Sequence, residues 1–286
     1  MTFWLGLTVI SFFSEKGQLC HMCKFLFFLI IGFFFSCLAE AQQRTLTFLT
    51  FNIYHGENPY HAGESNLAEV AALIQKYQPD FVALQEVDSM TVRSASSQGG
   101  RKVDLAAELA ELTGMHGYFA KAIDFSQGGY GEAILSKWPL EFSTISLPTP
   151  MGGEGRSMAF AKVEFSDGKE FIFAGTHLCH EFEANRNAQT EEIIRQLLRH
   201  ELPVVIAGDF NFEPNERAYG ILSKDFLDAA LLLNASPAAT YPAEAPTSRI
   251  DYFWISQDLR GTVISIEVLD VDFSDHRPIL MKLKMD

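Results

Sequence analysis

Two apolar segments that each end in a carboxylate constrain the fold of this chain most strongly. They are PDFVALQE at 79–86 and PVVIAGD at 203–209, and each follows a stretch with helical periodicity. Apolar runs of this length are typical of buried strands. Open α/β sheets place their ligands at the carboxyl ends of such strands. The repeated pattern therefore predicts an α/β protein with acidic side chains at sheet edges in both halves.

Further strands and helices are predicted from the spacing of apolar residues. Strands are predicted at 44–53, 81–87, 130–136, 157–165, 170–178, 203–210, 249–256, 263–270 and 278–285. Helices are predicted from Asn66, from Leu105 to Gly114 and from 184 to 200, the first with Asn66 and Glu69 as a capping box. Segments rich in Gly, Ser and Pro predict loops within one domain at 94–100, 149–157 and 234–248. Helices between strands favour two packed sheets with helices outside.

The first 41 residues have the pattern of a secretory signal peptide. The apolar run FLFFLIIGFFF at 25–35 follows Lys24 and precedes AEA at 39–41. A basic flank, an apolar stretch of about 7–15 residues and an A-x-A site describe such a leader, whereas a membrane span needs roughly 20 apolar residues. We therefore expect a signal peptide at 1–41 and an exported chain at 42–286, periplasmic or secreted.

Alternatives to this leader remain open: an uncleaved anchor, lipid anchoring at Cys37, and a start at Met22. After cleavage, Cys179 would be the one remaining cysteine, so the chain would fold without an intramolecular disulfide. The net charge of −14 disfavours a nucleic-acid coat protein, because such proteins need a basic surface that displaces counterions. It does not exclude an enzyme that handles phosphate through a bound metal.

Polar residues that can do chemistry follow the apolar segments in both halves of the chain. Any one of them is typical of a turn or a cap. Their repeated position after buried strands indicates that they meet at one sheet edge, where carboxylates repel each other unless a cation joins them. The residues are Asn52, Glu86, His177, Asp209, Asn211, Asp251, Asp275 and His276.

Carboxylate and amide oxygens favour Mg²⁺, Mn²⁺ or Ca²⁺. Mg²⁺ needs only one or two protein carboxylates, because water and substrate phosphate complete its coordination. Zinc is the competing metal, given His177, Cys179 and His180. In an extended strand these two histidines point to opposite faces, and residues 42–286 contain no further cysteine. A hard divalent cation is therefore the expected cofactor.

The same residues, in the same order, resemble the endonuclease/exonuclease/phosphatase superfamily over residues 44–284. The resemblance implies a four-layer α/β/β/α sandwich of two packed mixed β-sheets flanked by helices. It also implies hydrolysis of a phosphate ester that depends on Mg²⁺ or Mn²⁺. The motifs are TFNI at Asn52, ALQEV at Glu86, YGEAILS at 130–136, GTHL at His177, AGDFN at 207–211, RIDY at Asp251 and SDHRP at 274–278.

The resemblance also implies roles for individual residues. Glu86 is the expected principal metal ligand, with Asn52 and Asp275 near the metal. His276 is the expected acid/base residue, oriented by Asp251. A histidine bonded to a carboxylate has a fixed tautomer and exchanges protons near neutral pH.

The remaining residues are expected to handle water and substrate. Asp209 and Asn211 would position or activate the attacking water, and His177 would contact the phosphate. Whether the proton of the water goes to His276 or to Asp209 stays open. Tyr130 is expected to face the substrate, and Arg156 follows a glycine-rich segment from which it could reach a phosphate on a flexible loop.

Two departures narrow the branch of the superfamily. Asp88 stands where AP endonucleases typically have Lys, and 248–251 replaces a W-C-D-R stretch of inositol-polyphosphate 5-phosphatases. His55 is interpreted as a loop residue and Arg93 as a surface or packing residue. The chain looks most like exported bacterial phosphodiesterase-like proteins. We therefore expect an exported metal-dependent phosphodiesterase whose substrate is a phosphate ester of unknown identity. No obligate protein partner is evident, and nucleic acid is possible as a substrate but not favoured. The alternatives are a secreted nuclease and a catalytically inactive binding module on the same fold.

Overall fold

Two six-stranded β-sheets form the centre of the computed structural model. The structure describes residues 44–233, 237–260 and 262–285, so the predicted signal peptide lies outside the described residues. The strands are β1 (Arg44–Asn52), β2 (Phe81–Ser89), β3 (His116–Phe125), β4 (Gly128–Ser136), β5 (Phe142–Leu147), β6 (Arg156–Glu164), β7 (Glu170–His177), β8 (Val204–Asp209), β9 (Phe226–Asp228), β10 (Asp251–Ser256), β11 (Val263–Val268) and β12 (Ile279–Met285). The α-helices are α1 (Leu67–Tyr77), α2 (Val92–Ser97), α3 (Leu105–Thr113), α4 (Glu183–Leu198) and α5 (Arg217–Leu222).

Both sheets contain parallel and antiparallel neighbours. One sheet has the order β11-β12-β1-β2-β4-β3 and the other β5-β6-β7-β8-β10-β9. The pairs β1–β2 and β7–β8 are parallel, and the other neighbours are antiparallel. Parallel neighbours need a crossover, which α1 provides in the first sheet and α4 in the second. The similarity between the two carboxylate-ending segments thus reflects one β-α-β unit in each sheet.

Apolar packing divides the molecule into four layers. A core rich in phenylalanine lies between the sheets, where the ring of Phe48 stacks on Phe81 at 5.4 Å and lies 5.5 Å from Phe173 of the opposite sheet. A second core joins the outer face of the first sheet to α1 and α3, and a third joins the second sheet to α4 and α5. The expected four-layer sandwich of two mixed sheets is confirmed. No helix in the described ranges is long and apolar enough to cross a membrane.

The predicted capping box at the start of α1 is wrong. The side chain of Asn66 makes no capping hydrogen bond. Its amide nitrogen instead donates to the carbonyl oxygens of Ile53, Glu57 and Phe273, at 2.9, 3.2 and 2.8 Å. Since these acceptors belong to neighbouring loops, Asn66 fixes the loops around the sheet edge rather than the first turn of its own helix.

The sequence prediction also missed some short elements. The 94–100 segment, predicted as a loop, is partly helical, because α2 occupies Val92–Ser97. Thr91 caps this helix, since its hydroxyl oxygen accepts a hydrogen bond from the backbone amide of Ser94 at 2.9 Å. Edge strands β3 and β5 and the three-residue β9 were not predicted either. Arg156, expected on a flexible loop, is the first residue of β6 and is 3% exposed.

Candidate active site

Three of the predicted residues meet because their strands are neighbours in one sheet. His177 ends β7, Asp209 ends β8 and Asp251 begins β10. Asp209 is the register partner of both His177 and Asp251. The Oδ2 atom of Asp209 lies 3.4 Å from Nε2 of His177. His177 and Asp209 follow their strands as expected, whereas Asp251 begins β10 and reaches the same edge because β10 is antiparallel to β8.

Glu86 reaches the same place through a β-bulge. The register between β2 and β4 shifts between Leu84 and Val87, and Glu86 has a positive φ of 57°. A bulge inserts an extra residue and re-aims its side chain. The amide nitrogen of Asn52 donates to Oε1 of Glu86 at 3.1 Å and to Oδ2 of Asp209 at 3.2 Å. Asn52 thereby links the acids of the two sheets.

His276 and Asp251 form a hydrogen-bonded pair, as the sequence analysis expected. Nδ1 of His276 lies 2.9 Å from Oδ2 of Asp251, and Nε2 lies 3.7 Å from Oδ2 of Asp209. The hydroxyl of Thr240 donates to the same Asp251 oxygen at 2.5 Å. All four residues are buried, and the hydrogen bond at Nδ1 fixes the orientation of the imidazole.

The pKa values of the two candidate bases are displaced in the same direction. Burial raises the pKa of Asp209 to about 7, with the charge of Asp251 adding to the rise and His276 opposing it. Burial alone would lower the pKa of His276, but the charges of Asp251 and Asp209 outweigh it and raise the pKa to about 10. A carboxyl group that titrates near neutrality beside a protonated imidazole can exchange a proton at working pH. Asp209 is therefore the candidate base, and the protonated His276 is the candidate acid.

His177 and Asn211 form the adjacent part of the site. The amide nitrogen of Asn211 lies 3.0 Å from Nε2 of His177 and donates to the carbonyl of Leu178 at 3.1 Å. Burial, reinforced by the charge of Arg156, lowers the pKa of His177 well below its usual value. His177 is therefore a neutral imidazole at pH 7, suited to hydrogen bonding rather than to charge pairing.

The oxygen atoms of Glu86 and Asp275 fit a hard divalent cation. Oδ1 of Asp275 is buried and has no hydrogen-bond partner among the described residues. Burial raises the pKa of Asp275, and the charge of Glu86 adds to that rise. Burial would raise the pKa of Glu86 too, but hydrogen bonds from His55 and Asn52 and the charge of His276 oppose it, and the pKa is lowered to about 2. Two carboxylates that repel each other, one with an unpaired buried oxygen, are the donor set that Mg²⁺ or Mn²⁺ prefers.

Asp209, Asp251 and His276 form a second group with the spacing of metal ligands. One ligand atom from each lies within 4.8 Å of the others. However, Oδ2 of Asp251 already accepts the hydroxyl of Thr240 and contacts Nδ1 of His276. These contacts occupy the atoms that would face a cation, so we interpret this group as an acid–base relay.

A cavity of about 280 Å³ brings the predicted residues together. Tyr130 and Arg156 are part of its wall, and both are largely buried. Asn52 and Asp251 stand behind the wall, each hydrogen-bonded to a residue in it. The lining residues are Glu86, Tyr130, Glu154, Arg156, His177, His180, Asp209, Asn211, Tyr241, Ile250, Asp275 and His276.

Several residues of the site had not been singled out from the sequence. Thr240 and Tyr241 lie in the segment interpreted as a loop, and the ring of Tyr241 is 4.8 Å from that of His276. Glu154 had no assigned role. His180 was expected to point away from His177, but β7 ends at His177 and both histidines line the same cavity. His55, interpreted as a loop residue, has its Nδ1 atom 3.8 Å from Oε2 of Glu86. These contacts form across loops, so no periodic pattern in the sequence marks them.

Arg93 is a packing residue, as expected, and Asp88 explains why. The guanidinium group of Arg93 donates to both oxygens of the fully buried Asp88, at 3.0 and 2.7 Å. It also lies over the rings of Phe125 and Tyr130, at 4.4 and 5.1 Å. Asp88 thus anchors a cation that holds Tyr130 against the cavity.

Comparison with known proteins decides the family. Residues 49–276 match the model of the endonuclease/exonuclease/phosphatase family. The chain belongs to this family. Its members are phosphoesterases and nucleases, so this endonuclease/exonuclease/phosphatase protein is a hydrolase of the same broad kind.

Relatives of this family member agree with the fold. The uncharacterized protein YbhP of Escherichia coli strain K12 is 24% identical over 253 residues, which cover 86% of this chain and 99% of YbhP. A family protein from Bacteroides thetaiotaomicron superposes with a TM-score of 0.71 at 19% identity, covering 86% of this chain and 96% of its own. A mannosyl-6-phosphatase from the same species has a TM-score of 0.68 at 18% identity, covering 84% of this chain and 100% of its own.

Proposed function

We propose that this protein is an exported phosphoesterase that depends on Mg²⁺ or Mn²⁺, with phosphodiesters as its preferred substrates. One observation carries the proposal. The oxygen donors of Glu86 and Asp275 and the imidazole of His276, which is hydrogen-bonded to Asp251, face one cavity. A metal site beside a proton-transfer pair is what hydrolysis of a phosphate ester by water requires.

The side chains divide the chemistry between them. A divalent cation held by Glu86 and Asp275 would stabilise the charge that develops on the phosphoryl oxygens. Asp209 and His276 lie 3.7 Å apart, close enough to contact one water, so Asp209 could take its proton and the protonated His276 could give one to the leaving oxygen. Asp251 keeps the imidazole of His276 in one orientation.

His177 and Asn211 lie on the other side of Asp209. Asn211 has a positive φ of 50°, and its backbone amide donates to Oδ1 of Asp209 at 3.0 Å. This turn directs its side-chain amide toward His177, at 3.0 Å. Polar groups that are fixed in this way stabilise a transition state without having to reorganise. We therefore assign His177 and Asn211 to the phosphoryl oxygens, and Tyr130 and Arg156 to the rest of the substrate.

Charge disfavours the nuclease alternative. Among the described residues that line the cavity, four are carboxylic acids and Arg156 is the one arginine. Nucleic-acid tracks need cations that replace phosphate counterions. The inactive-module alternative is disfavoured by the intact contact between His276 and Asp251, because a binding module has no need of a buried acid–base relay.

Export is supported by the leader pattern of residues 1–41, with its apolar run and its AEA sequence. An exported hydrolase would meet substrates outside the cytoplasm. Lipid anchoring at Cys37 is compatible with the same active site.

A hydrolysis screen tests the proposal. The purified protein is incubated with Mg²⁺ or Mn²⁺ and bis-p-nitrophenyl phosphate, p-nitrophenyl phosphate, plasmid DNA, RNA or phospholipid vesicles. Monoesters belong in the screen because the mannosyl-6-phosphatase shares the fold. We expect metal-dependent cleavage of bis-p-nitrophenyl phosphate above the monoester. Preferential degradation of DNA or RNA would favour the nuclease alternative, and no hydrolysis of any ester would favour the binding module.

A further inference from the structure

One side of the cavity is built from three residues outside the metal site and the relay. Arg156 directs one terminal nitrogen to the carboxylate of Glu154 and places the other 3.1 Å from Nδ1 of His180. We call Glu154, Arg156 and His180 the polar wall. Arg156 is 3% exposed, whereas the side chains of Glu154 and His180 are 31% and 55% exposed. A buried guanidinium thus holds two accessible polar groups side by side.

The polar wall is held from behind. Asn185 of α4 donates to the carbonyl of Gly152 at 2.8 Å and accepts the amide of Met151 at 2.9 Å. This fixes the glycine-rich segment that leads to Glu154. On the other side, Arg186 donates to the carbonyl oxygen of His180 at 3.3 Å. Because Asn185 is fully buried and Arg186 nearly so, both ends of the wall are anchored to the same helix.

The chemistry of the wall is mixed in donors and acceptors. A carboxylate accepts hydrogen bonds, a guanidinium donates them and an imidazole does either. A hydroxyl group both donates and accepts. Neighbouring hydroxyl groups on one ligand can therefore donate to Glu154, accept from Arg156 and do either with His180.

Charge and polarity exclude other occupants of the wall. Glu154 already neutralises Arg156, so a second phosphate would find no free positive charge there and would face a carboxylate. An acyl chain would bury these polar groups without hydrogen bonds, which is costly. Ile250 is the aliphatic residue among the described lining residues, so the cavity offers little apolar surface to a lipid tail.

We propose that the polar wall binds the hydroxyl groups of the substrate's alcohol, so that the substrate is a phosphate ester of a small uncharged polyol such as a sugar or glycerol. This inference rests on the proposed phosphoesterase function and names its substrate class. The wall lies on the His177 side of the site, since His180 follows His177 by three residues in the same cavity lining, and His177 is 3.4 Å from Asp209. An alcohol on the wall would therefore extend from a phosphate held at His177 and Asn211.

The size of the cavity agrees with a small alcohol. About 280 Å³ lies just below the range of roughly 300–1,000 Å³ typical of ligand pockets. A phosphate with one sugar or glycerol group is of that order, whereas a polymer would need a continuing groove. The volume of the cavity therefore suits a small ester.

Matched substrates test the wall. Glucose 6-phosphate is compared with butyl phosphate, and glycerophosphoglycerol with diethyl phosphate, because each pair shares its ester type and alkyl leaving group but differs in hydroxyls. We expect kcat/KM at least about tenfold higher for the hydroxylated member of a pair that is cleaved, the value of a hydrogen bond to a charged group. Equal values within a pair would overturn the proposal, and so would faster cleavage of oligonucleotides or phospholipids.

Glu154→Gln is the variant that isolates the wall. It keeps the size of the side chain but replaces the acceptor carboxylate and its pairing with Arg156. We expect the ratio of kcat/KM between hydroxylated and hydroxyl-free esters to fall at least about tenfold. Glu64→Gln, at an exposed loop position, is the matched control and should leave that ratio unchanged. An unchanged ratio in Glu154→Gln would exclude the wall from substrate recognition.

A binding measurement separates this inference from the proposed function. Calorimetric titration of glucose 6-phosphate and of glycerophosphoglycerol into the full-length protein in EDTA measures affinity without hydrolysis. The comparison uses whichever of the two esters the wild-type protein binds more tightly. We expect Glu154→Gln to bind this ester more weakly than Glu64→Gln does. If no ester were hydrolysed but this difference persisted, the catalytic proposal would fail while the wall stood. Equal affinities in the two variants, or no binding of either ester to wild type, Glu154→Gln or Glu64→Gln, would overturn the proposal that the polar wall binds the substrate.

Discussion

Nδ1 of His276 lies 2.9 Å from Oδ2 of Asp251, although the two residues are 25 positions apart in the chain. Asp251 begins β10 in one sheet, and His276 precedes β12 in the other. The contact therefore bridges the two sheets at the edge where the cavity opens. A carboxylate that orients an imidazole prepares it for proton transfer.

Replacing His276 separates catalysis from folding. We predict that His276→Ala lowers kcat by at least about 10²-fold, the lower end of general acid–base contributions. Residues that act as one unit lose function non-additively. The double variant, with His276→Ala and Asp251→Asn, should therefore lose far less kcat than the product of the losses in the two single variants. Steady-state kinetics and melting temperatures of the three variants check this. A kcat within a few-fold of wild type in His276→Ala, with lost stability, would make the histidine structural.

Thr240 supports the same relay from behind. Its hydroxyl donates to Oδ2 of Asp251 at 2.5 Å, and both residues are buried. Thr240→Val keeps the shape but removes the donor, so we predict a loss in kcat of about tenfold, the scale of a hydrogen bond to a charged group. Thr240→Ser should restore most of the rate because it restores the hydroxyl. Equal rates in the valine and serine variants would show that packing, not the hydrogen bond, matters here.

A buried carboxyl group outside the relay makes stability depend on pH. Burial raises the pKa of Glu132 to about 8, although the hydrogen bond from Ser157 and the charge of Arg156 oppose the rise. At pH values below the usual glutamate pKa of about 4.3, the Glu132 carboxyl is protonated in both the folded and the unfolded chain and does not lower stability. As pH rises toward 8 the unfolded chain ionises while the folded one does not, so stability is progressively lost.

Glu132→Gln removes this titration. We predict that it raises the free energy of unfolding relative to wild type, by more at pH 8 than at pH 5 and up to a few kcal/mol. Urea unfolding at the two pH values measures the difference. Glu111→Gln, at an exposed position in α3, is the control and should show no such trend. A Glu132→Gln effect that is the same at both pH values would contradict a raised pKa.

The parts of the fold that were predictable from sequence are those fixed by burial. Strands β2 and β8 are buried along most of their length, so their apolar runs reveal them without tertiary information. Edge strands β3 and β5 are half exposed, and their mixed composition carries no clear period. Helix α2 is rich in serine and depends on the cap at Thr91, which is itself hydrogen-bonded to Asp88. Its stability comes from contacts that the local sequence does not encode.

The residues of the active site also divide into those that buried strands reveal in the sequence and those whose positions depend on distant contacts. His177 and Asp209 were predictable at one sheet edge because each ends a buried apolar strand. The bulge that aims Glu86 depends on the register between β2 and β4, which no local pattern sets. Thr240 and Glu154 reach the site from loops, where position is decided by distant partners. Asn185, for example, holds the segment before Glu154 from α4.

The leader gives a prediction independent of catalysis. Because the apolar run at 25–35 is short and is followed by AEA at 39–41, we predict an exported product that begins at Gln42. Intact-mass measurement of the natural product identifies its first residue. A product that begins at a lipid-modified Cys37 would contradict cleavage after Ala41 and leave the catalytic assignment unchanged.

Metal dependence of hydrolysis is the most direct test of the active site. We predict that EDTA abolishes cleavage of bis-p-nitrophenyl phosphate and that Mg²⁺ or Mn²⁺ restores it, because Glu86 and Asp275 offer oxygen ligands. Glu86→Gln should need a much higher Mg²⁺ concentration for half-maximal rate, or lose activity, while Glu64→Gln should respond like wild type. A chelated protein that kept its full rate, or one that only Zn²⁺ restored, would contradict the assigned site.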